Sequence, residues 1–223
     1  MTHPTIEAVL LDMDGTLLDT ERVYHASLCT ALKAYGYAGA EAICDTVVGL
    51  PGPQCETMLR DHYGADFPLA KISAAFAGNL NDLLREGVPL KPGAIELLDA
   101  LRAARIPMAI VTSSSRRNAE QRLTWAGIRE RFDTVLTHDD VVHGKPHPDL
   151  YLLAAARLGV RPGACIAIED SNPGIAAAHA AGAVAVMVPD ILQPTGETRQ
   201  KCAAVLPDLH AALTLLRQRG AVG

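Results

Sequence analysis

Short apolar runs ending in polar residues recur along the chain at residues 6–13, 107–113, 134–137, 165–170 and 184–188. Runs this short, apolar throughout rather than alternating, read as strands buried on both faces of a parallel sheet. Between most of them the apolar spacing becomes helical and the punctuation changes with it. In HPDLYLLAAARLG, Pro148 suits the first helical turn, Leu152, Leu153, Ala156 and Leu158 supply apolar positions, and Gly159 suits the C-terminal cap. NPGIAAAHAAG repeats the scheme with Asn172 as N-cap, Pro173 next and Gly182 as the stop. Strand and helix in regular alternation predict an α/β fold, a doubly wound parallel sheet with helices on both faces.

One interval breaks the rhythm. Residues 18–88 carry helical patterns and no convincing strand: Tyr24, Leu28, Ala31, Leu32 and Tyr35 share one helical face, and Pro53 opens another helix carrying Met58, Leu59 and Tyr63. The pattern predicts a core formed by residues 1–17 and 89–223, interrupted by an all-helical insertion at 18–88 that acts as a movable cap.

At 223 residues, 49% of them apolar, the chain has enough material for a sizeable core. The net charge of -5 comes with no basic block, which argues against a nucleic acid polymer or an anionic membrane as partner. No run reaches about 18 apolar residues, so no spanning helix is expected. The five cysteines, Cys29, Cys44, Cys55, Cys165 and Cys202, are scattered without C-x-x-C spacing, which suits a reducing cytoplasm rather than a disulfide framework.

In an open parallel sheet, ligands bind beyond the carboxyl ends of the strands, so the polar residues that end the runs should converge. These are Asp12 and Asp14 after the first run, Thr112 and Ser113 after the second, Glu169 and Asp170 after the fourth, and Lys145 in the HGKPHPD segment after the third. Two aspartates one residue apart at the end of a buried strand should repel. Clustered acids make sense around a hard divalent cation, and Mg2+ fits because it takes oxygen ligands and keeps waters free for a phosphate. His143 and His147 have a metal-like spacing, but Pro146 between them argues for two loop histidines. His25 reads as a partly exposed helix residue, and Arg116 and Arg117 as solvated charges.

DMDGT (12–16), IVTSS (110–114), GKPHPD (144–149) and IEDSNPGIAAAHAAG (168–182) resemble, in order, the four motifs of the haloacid dehalogenase-like hydrolase superfamily. The helical insertion resembles the subgroup that includes β-phosphoglucomutase and many sugar-phosphate and nucleotide phosphatases. The resemblance implies a Rossmann-like core and a set of roles. Asp12 would be the nucleophile that forms an aspartyl phosphate, and Asp14 the general acid, then base. Thr112 and the Ser113 backbone N–H would hold phosphoryl oxygens, and Lys145 would stabilise both the transition state and the nucleophile. Mg2+ would be held by Asp12, the Asp14 backbone carbonyl and Asp170, with Glu169 acting directly or through water.

Departures from the family pattern separate the reactions. Family dehalogenases and phosphonate-cleaving members lack an acid at the position of Asp14. The mutase carries a histidine where this chain has Tyr24, and its cap arginine has no match in residues 49–54, which contain no basic residue. The expected function is therefore Mg2+-dependent hydrolysis of a small phosphorylated metabolite, a sugar phosphate or nucleotide. The alternatives are a β-phosphoglucomutase-like mutase and a catalytically silent sensor of such metabolites. Selectivity is expected in residues 47–54 and the first cap helix; a monomer is favoured, with oligomeric state left open.

Overall fold

The computed structural model describes residues 5–47, 50 and 52–223. They fall into two compact units, one from residues 5–18 and 89–223 and the other from the described residues of 19–88. The chain opens with β1 (Ala8–Leu11) and then builds the second unit from α1 (Thr20–Ala34), α2 (Ala40–Val47), α3 (Gly52–Tyr63) and α4 (Leu69–Glu86). The first unit resumes with α5 (Ala94–Ala103), β2 (Met108–Val111), α6 (Arg116–Trp125), β3 (Thr134–Leu136) and α7 (Asp149–Arg157). It ends with β4 (Cys165–Glu169), α8 (Asn172–Ala180), β5 (Val184–Met187), α9 (Gly196–Lys201), β6 (Ala204–Val205) and α10 (Leu209–Gln218).

Among the described residues there is one six-stranded sheet, in the order β3-β2-β1-β4-β5-β6, with every pairing parallel. All residues of β1, β2 and β4 are buried, as strands covered on both faces must be. On one face Leu10, Val111, Ala167 and Met187 share a core with Tyr151 of α7 and Ile175 of α8. Successive strands run outward from β1 to β3 on one side and from β4 on the other, so the switch in strand order falls between β1 and β4. Leu11 pairs with Ile110 of β2 and Ile168 of β4, which brings the residues just beyond those strands to one edge.

The helical unit has its own core of Cys29, Leu32, Ile43, Cys44, Leu59 and Ile72, joined by an aromatic group in which Tyr37 lies 4.6 Å from Tyr63 and 5.1 Å from Phe67 between ring centroids. Its described residues include no strand. At the boundary of the sheet unit, Leu18 and Leu90 form an antiparallel bridge, and the Lys91 N–H donates to the Leu17 carbonyl at 2.9 Å.

Several local details differ from the sequence reading. β6 is too short to show a pattern. The buried residues of α7 are Leu150, Tyr151, Ala154 and Ala155, while Leu152 is exposed; DLYLLAAARL has too few polar positions to mark an outer face. Tyr35 ends α1 and is exposed. The N-cap of α8 is Ser171, whose Oγ accepts from the Gly174 N–H, one residue before the expected Asn172. All five cysteines are free thiols, and no described helix is long and apolar enough to cross a membrane.

Candidate active site

β1 delivers Asp12 to the sheet edge, where its N–H donates to the Ile168 carbonyl at 3.0 Å and continues the β1–β4 ladder. The chain then turns through Gly15, whose φ of +82° is in the left-handed region. A Cβ there would stand 2.5 Å from Asp170 Oδ2, so glycine serves both the turn and the approach of that carboxylate. Thr16 Oγ1 donates to the other Asp170 oxygen at 3.2 Å.

Lys145 reaches this edge from the loop before α7. Its side chain is 4% exposed, and its three ammonium hydrogens match three acceptors: Asp12 Oδ1 at 2.5 Å, Glu169 Oε1 at 2.5 Å and the Val111 carbonyl at 2.8 Å. Glu169 is fully buried. Its Oε1 also accepts from Tyr151 Oη at 2.8 Å, and its Oε2 accepts from the Ser171 N–H at 3.1 Å and Ser171 Oγ at 2.9 Å. Gly174 of α8 lies against this carboxylate so closely that a Cβ would fall 1.9 Å from Oε1.

Asp12, Glu169 and Asp170 each offer a carboxylate oxygen, all within 4.8 Å of one another. Burial, reinforced by Glu169 and Asp170, lifts the Asp12 carboxyl well above its ordinary range, although Lys145 opposes the rise. Burial and Glu169 push Asp170 up to about 8. Lys145 moves the other way from its desolvation: burial would lower it, but Asp12 and Glu169 outweigh burial and keep it charged. Tyr151 is raised by burial and by the two nearby carboxylates, which keeps its hydroxyl protonated and donating. Three acids share one lysine and cannot all ionise without a further positive charge, a need that a divalent cation suits.

Asp14 faces different neighbours. Its Oδ2 accepts from Arg122 Nη1 at 2.7 Å and from Ser114 Oγ at 2.8 Å, while its Oδ1 is buried with no hydrogen-bond partner among the described residues. Thr112 is buried and its Oγ1 accepts from the Ser114 N–H at 3.0 Å, whereas Ser113 is exposed. The sequence residues Asp12, Lys145, Glu169 and Asp170 are thus brought together, with Asp14 and Thr112 ordered by the turn after β2.

Arg122, Ser114 and Tyr151 were not anticipated. Arg122 had a signal: with Ala119 and Leu123 it forms the buried set of α6, an arginine in the phase of an apolar face. Arg116 is more than a solvated charge, since its guanidinium reaches Asp140 at 2.5 Å and the Val135 carbonyl at 2.9 Å. His143 and His147 are loop residues with ring centroids 5.1 Å apart.

The helical unit contains a pocket of about 300 Å³ lined by Tyr24, His25, Leu28 and Phe76 among others, and none of its described lining residues is a lysine or arginine. His25 is 2.8 Å from Asp45. Of the stretch 47–54 expected to set selectivity, Val48, Gly49 and Pro51 lie outside the described residues.

Residues 6–182 match the haloacid dehalogenase-like hydrolase family. The chain is 37% identical to a provisionally assigned pseudouridine-5'-phosphatase of Drosophila melanogaster, over 81% of this chain and 80% of that one. It is 36% identical to hexitol phosphatase A of Escherichia coli, over 80% of this chain and 81% of the relative. The fold is similar to that of a provisionally assigned beta-phosphoglucomutase from Thermotoga maritima, with a TM-score of 0.84 at 28% identity, covering 96% of this chain and 99% of the other. With the motif residues of the sheet edge lying inside the matched span, the chain belongs to the haloacid dehalogenase-like hydrolases.

Proposed function

We propose that the protein is a phosphomonoesterase that hydrolyses a small phosphorylated metabolite, a sugar phosphate or a nucleotide, through an aspartyl phosphate on Asp12. The observation that carries this reading is the unequal setting of two carboxylates on one strand end. Asp12 is buried against Lys145, while Asp14 is tied at Oδ2 and has an unpartnered Oδ1. The names of the relatives, a pseudouridine-5'-phosphatase and a hexitol phosphatase, support the substrate class.

In the first step an Asp12 oxygen forms a bond to phosphorus, the ester P–O bond breaks, and Asp14 gives its proton to the departing oxygen. In the second, Asp14 takes a proton from water as the water oxygen attacks the same phosphorus, releasing phosphate and restoring the Asp12 carboxylate. Lys145 holds the nucleophile and adds positive charge to the developing phosphoryl charge, and Thr112 and the Ser113 N–H serve the phosphoryl oxygens. The donor set of Asp12, Asp170 and the Asp14 backbone carbonyl fits Mg2+, which when bound would neutralise phosphate charge and the repulsion among the acids. Glu169, whose two oxygens already accept four hydrogen bonds, is assigned to orienting Lys145.

We propose that the helical unit acts as a cap, as the sequence pattern leads one to expect. Hydrolysis is preferred to phosphate transfer between positions of a sugar because a mutase must hold a second phosphate with its cap, and residues 49–54 contain no basic residue for it. The test is a screen of phosphorylated metabolites, scored by kcat/KM, with Mg2+ and with excess chelator. Turnover that chelator abolishes and Mg2+ restores is expected. Undiminished turnover in chelator would remove the metal, and no turnover of any ester would leave the sensor reading.

A further inference from the structure

A guanidinium in the apolar phase of a helix must be paired to be tolerated. Arg122 occupies that phase in α6, between the buried Ala119 and Leu123, and its side chain is 9% exposed. Nη1 donates to Asp14 Oδ2 at 2.7 Å and to Ser114 Oγ at 3.3 Å, and Ser114 Oγ donates to the same Asp14 oxygen at 2.8 Å. The three groups close a triangle: the serine accepts from the arginine and passes its own hydrogen to the carboxylate. One Asp14 oxygen is therefore fixed by two donors from α6 and the turn before it. The other, Oδ1, is buried with no hydrogen-bond partner among the described residues. A carboxylate fixed at one oxygen has the direction of its second oxygen fixed as well.

We infer that Arg122, seconded by Ser114, is a positioning residue that aims Asp14 Oδ1 at the leaving-group oxygen and then at the attacking water. The inference rests on Asp14 as the proton-transfer group. Misplacement of a reacting group by about 1 Å can cost on the order of 100-fold. The cost should fall on proton transfer and not on binding.

The experiment is a comparison of Arg122→Gln, Arg122→Lys and Ser114→Ala, each with and without Asp14→Asn, by steady-state and rapid-quench kinetics on an alkyl phosphate and on p-nitrophenyl phosphate. Arg122→Gln should lower kcat on the alkyl ester by about 10- to 100-fold with KM little changed. Phosphoenzyme formation from p-nitrophenyl phosphate should fall much less, because its leaving group needs no proton. Arg122→Lys should recover part of the loss, since it restores one charged donor. In the Asp14→Asn background, Arg122→Gln should cost nothing further, because the residue it positions has already lost its function. Ser114→Ala, which removes only the second donor, should show the same leaving-group signature at smaller size and serves if Arg122→Gln does not fold. Equal losses in phosphoenzyme formation from both esters, or a loss in Arg122→Gln that multiplies onto that of Asp14→Asn, would overturn the positioning role while leaving Asp14 in place. A wild-type rate for Asp14→Asn would overturn the reading beneath it.

Discussion

Asp12 and Asp14 leave the same strand two residues apart and enter opposite kinds of surroundings. The side of the site built by β1 and β4 gathers Asp12, Glu169 and Asp170 around Lys145, so acids outnumber cations. The side built by the turn after β2 and by α6 pairs one acid with one guanidinium. On the first side the excess of acids over the one lysine suits the cation and phosphoryl group of the proposed reaction; the second is balanced, so its carboxylate is held by direction rather than by surplus charge. Like residues on one strand therefore acquire different chemistry from the next element that packs on each.

This contrast can be broken at several points. The largest effect is expected at Asp12: Asp12→Asn keeps the shape without the nucleophile, and turnover should fall by about 10⁴-fold or more, with no phosphoenzyme in rapid quench. A wild-type rate would end the covalent proposal. Next, Asp14→Asn should slow alkyl ester hydrolysis by about 10²- to 10⁴-fold. With p-nitrophenyl phosphate it should accumulate phosphoenzyme, because formation is partly spared and hydrolysis is not; equal slowing of both steps would erase the distinction between the two aspartates. On the acid-rich side, Glu169→Gln removes charge from a hydrogen bond to Lys145 worth about 1.5–3 kcal/mol, so kcat/KM should drop by about 10- to 100-fold. Tyr151→Phe removes one neutral donor, about 1 kcal/mol, and should cost only about fivefold.

The smallest effect is one of stability. Asp12 and Asp170 have carboxyls raised by burial, Asp170 to about 8, so the folded state without a cation binds more protons than the unfolded state. Stability from these groups is full below the unfolded carboxyl pKa of about 4 and is lost as pH rises towards about 8. On the proposed reading a divalent cation would replace those protons. The gain in Tm on adding Mg2+, a few degrees, should therefore be larger at about pH 8.5 than at about pH 6. A gain independent of pH would detach the cation from Asp12 and Asp170.

Much of this was legible in the chain because it depends on strands. A buried parallel strand needs only a short apolar run, and its last polar residue lies at the sheet edge wherever the strand sits in the sheet, which is why Asp12, Asp14, Thr112, Glu169 and Asp170 could be named. What escaped depends on partners distant in sequence. Tyr151 follows the helix start of an almost wholly apolar segment, and nothing local says that its hydroxyl meets Glu169. Ser114 is one serine of three in a run that also caps α6, and only the fold selects it for Asp14. Arg122 was visible as an arginine out of place in its helix, but its acceptor lies 108 positions away.

The bridge between Leu18 and Leu90 has a consequence for how such proteins are remade. The segments that lead the chain out to the helical unit and back lie side by side at these two residues, at the roughly 5 Å spacing of neighbouring antiparallel residues. About seventy residues therefore hang from two adjacent points of the sheet unit, and a tight turn of two to four residues spans the same gap. On the expectation that the helical unit sets selectivity, it would act as a cassette: a different helical segment spliced between those points would change specificity apart from the chemistry of the sheet edge.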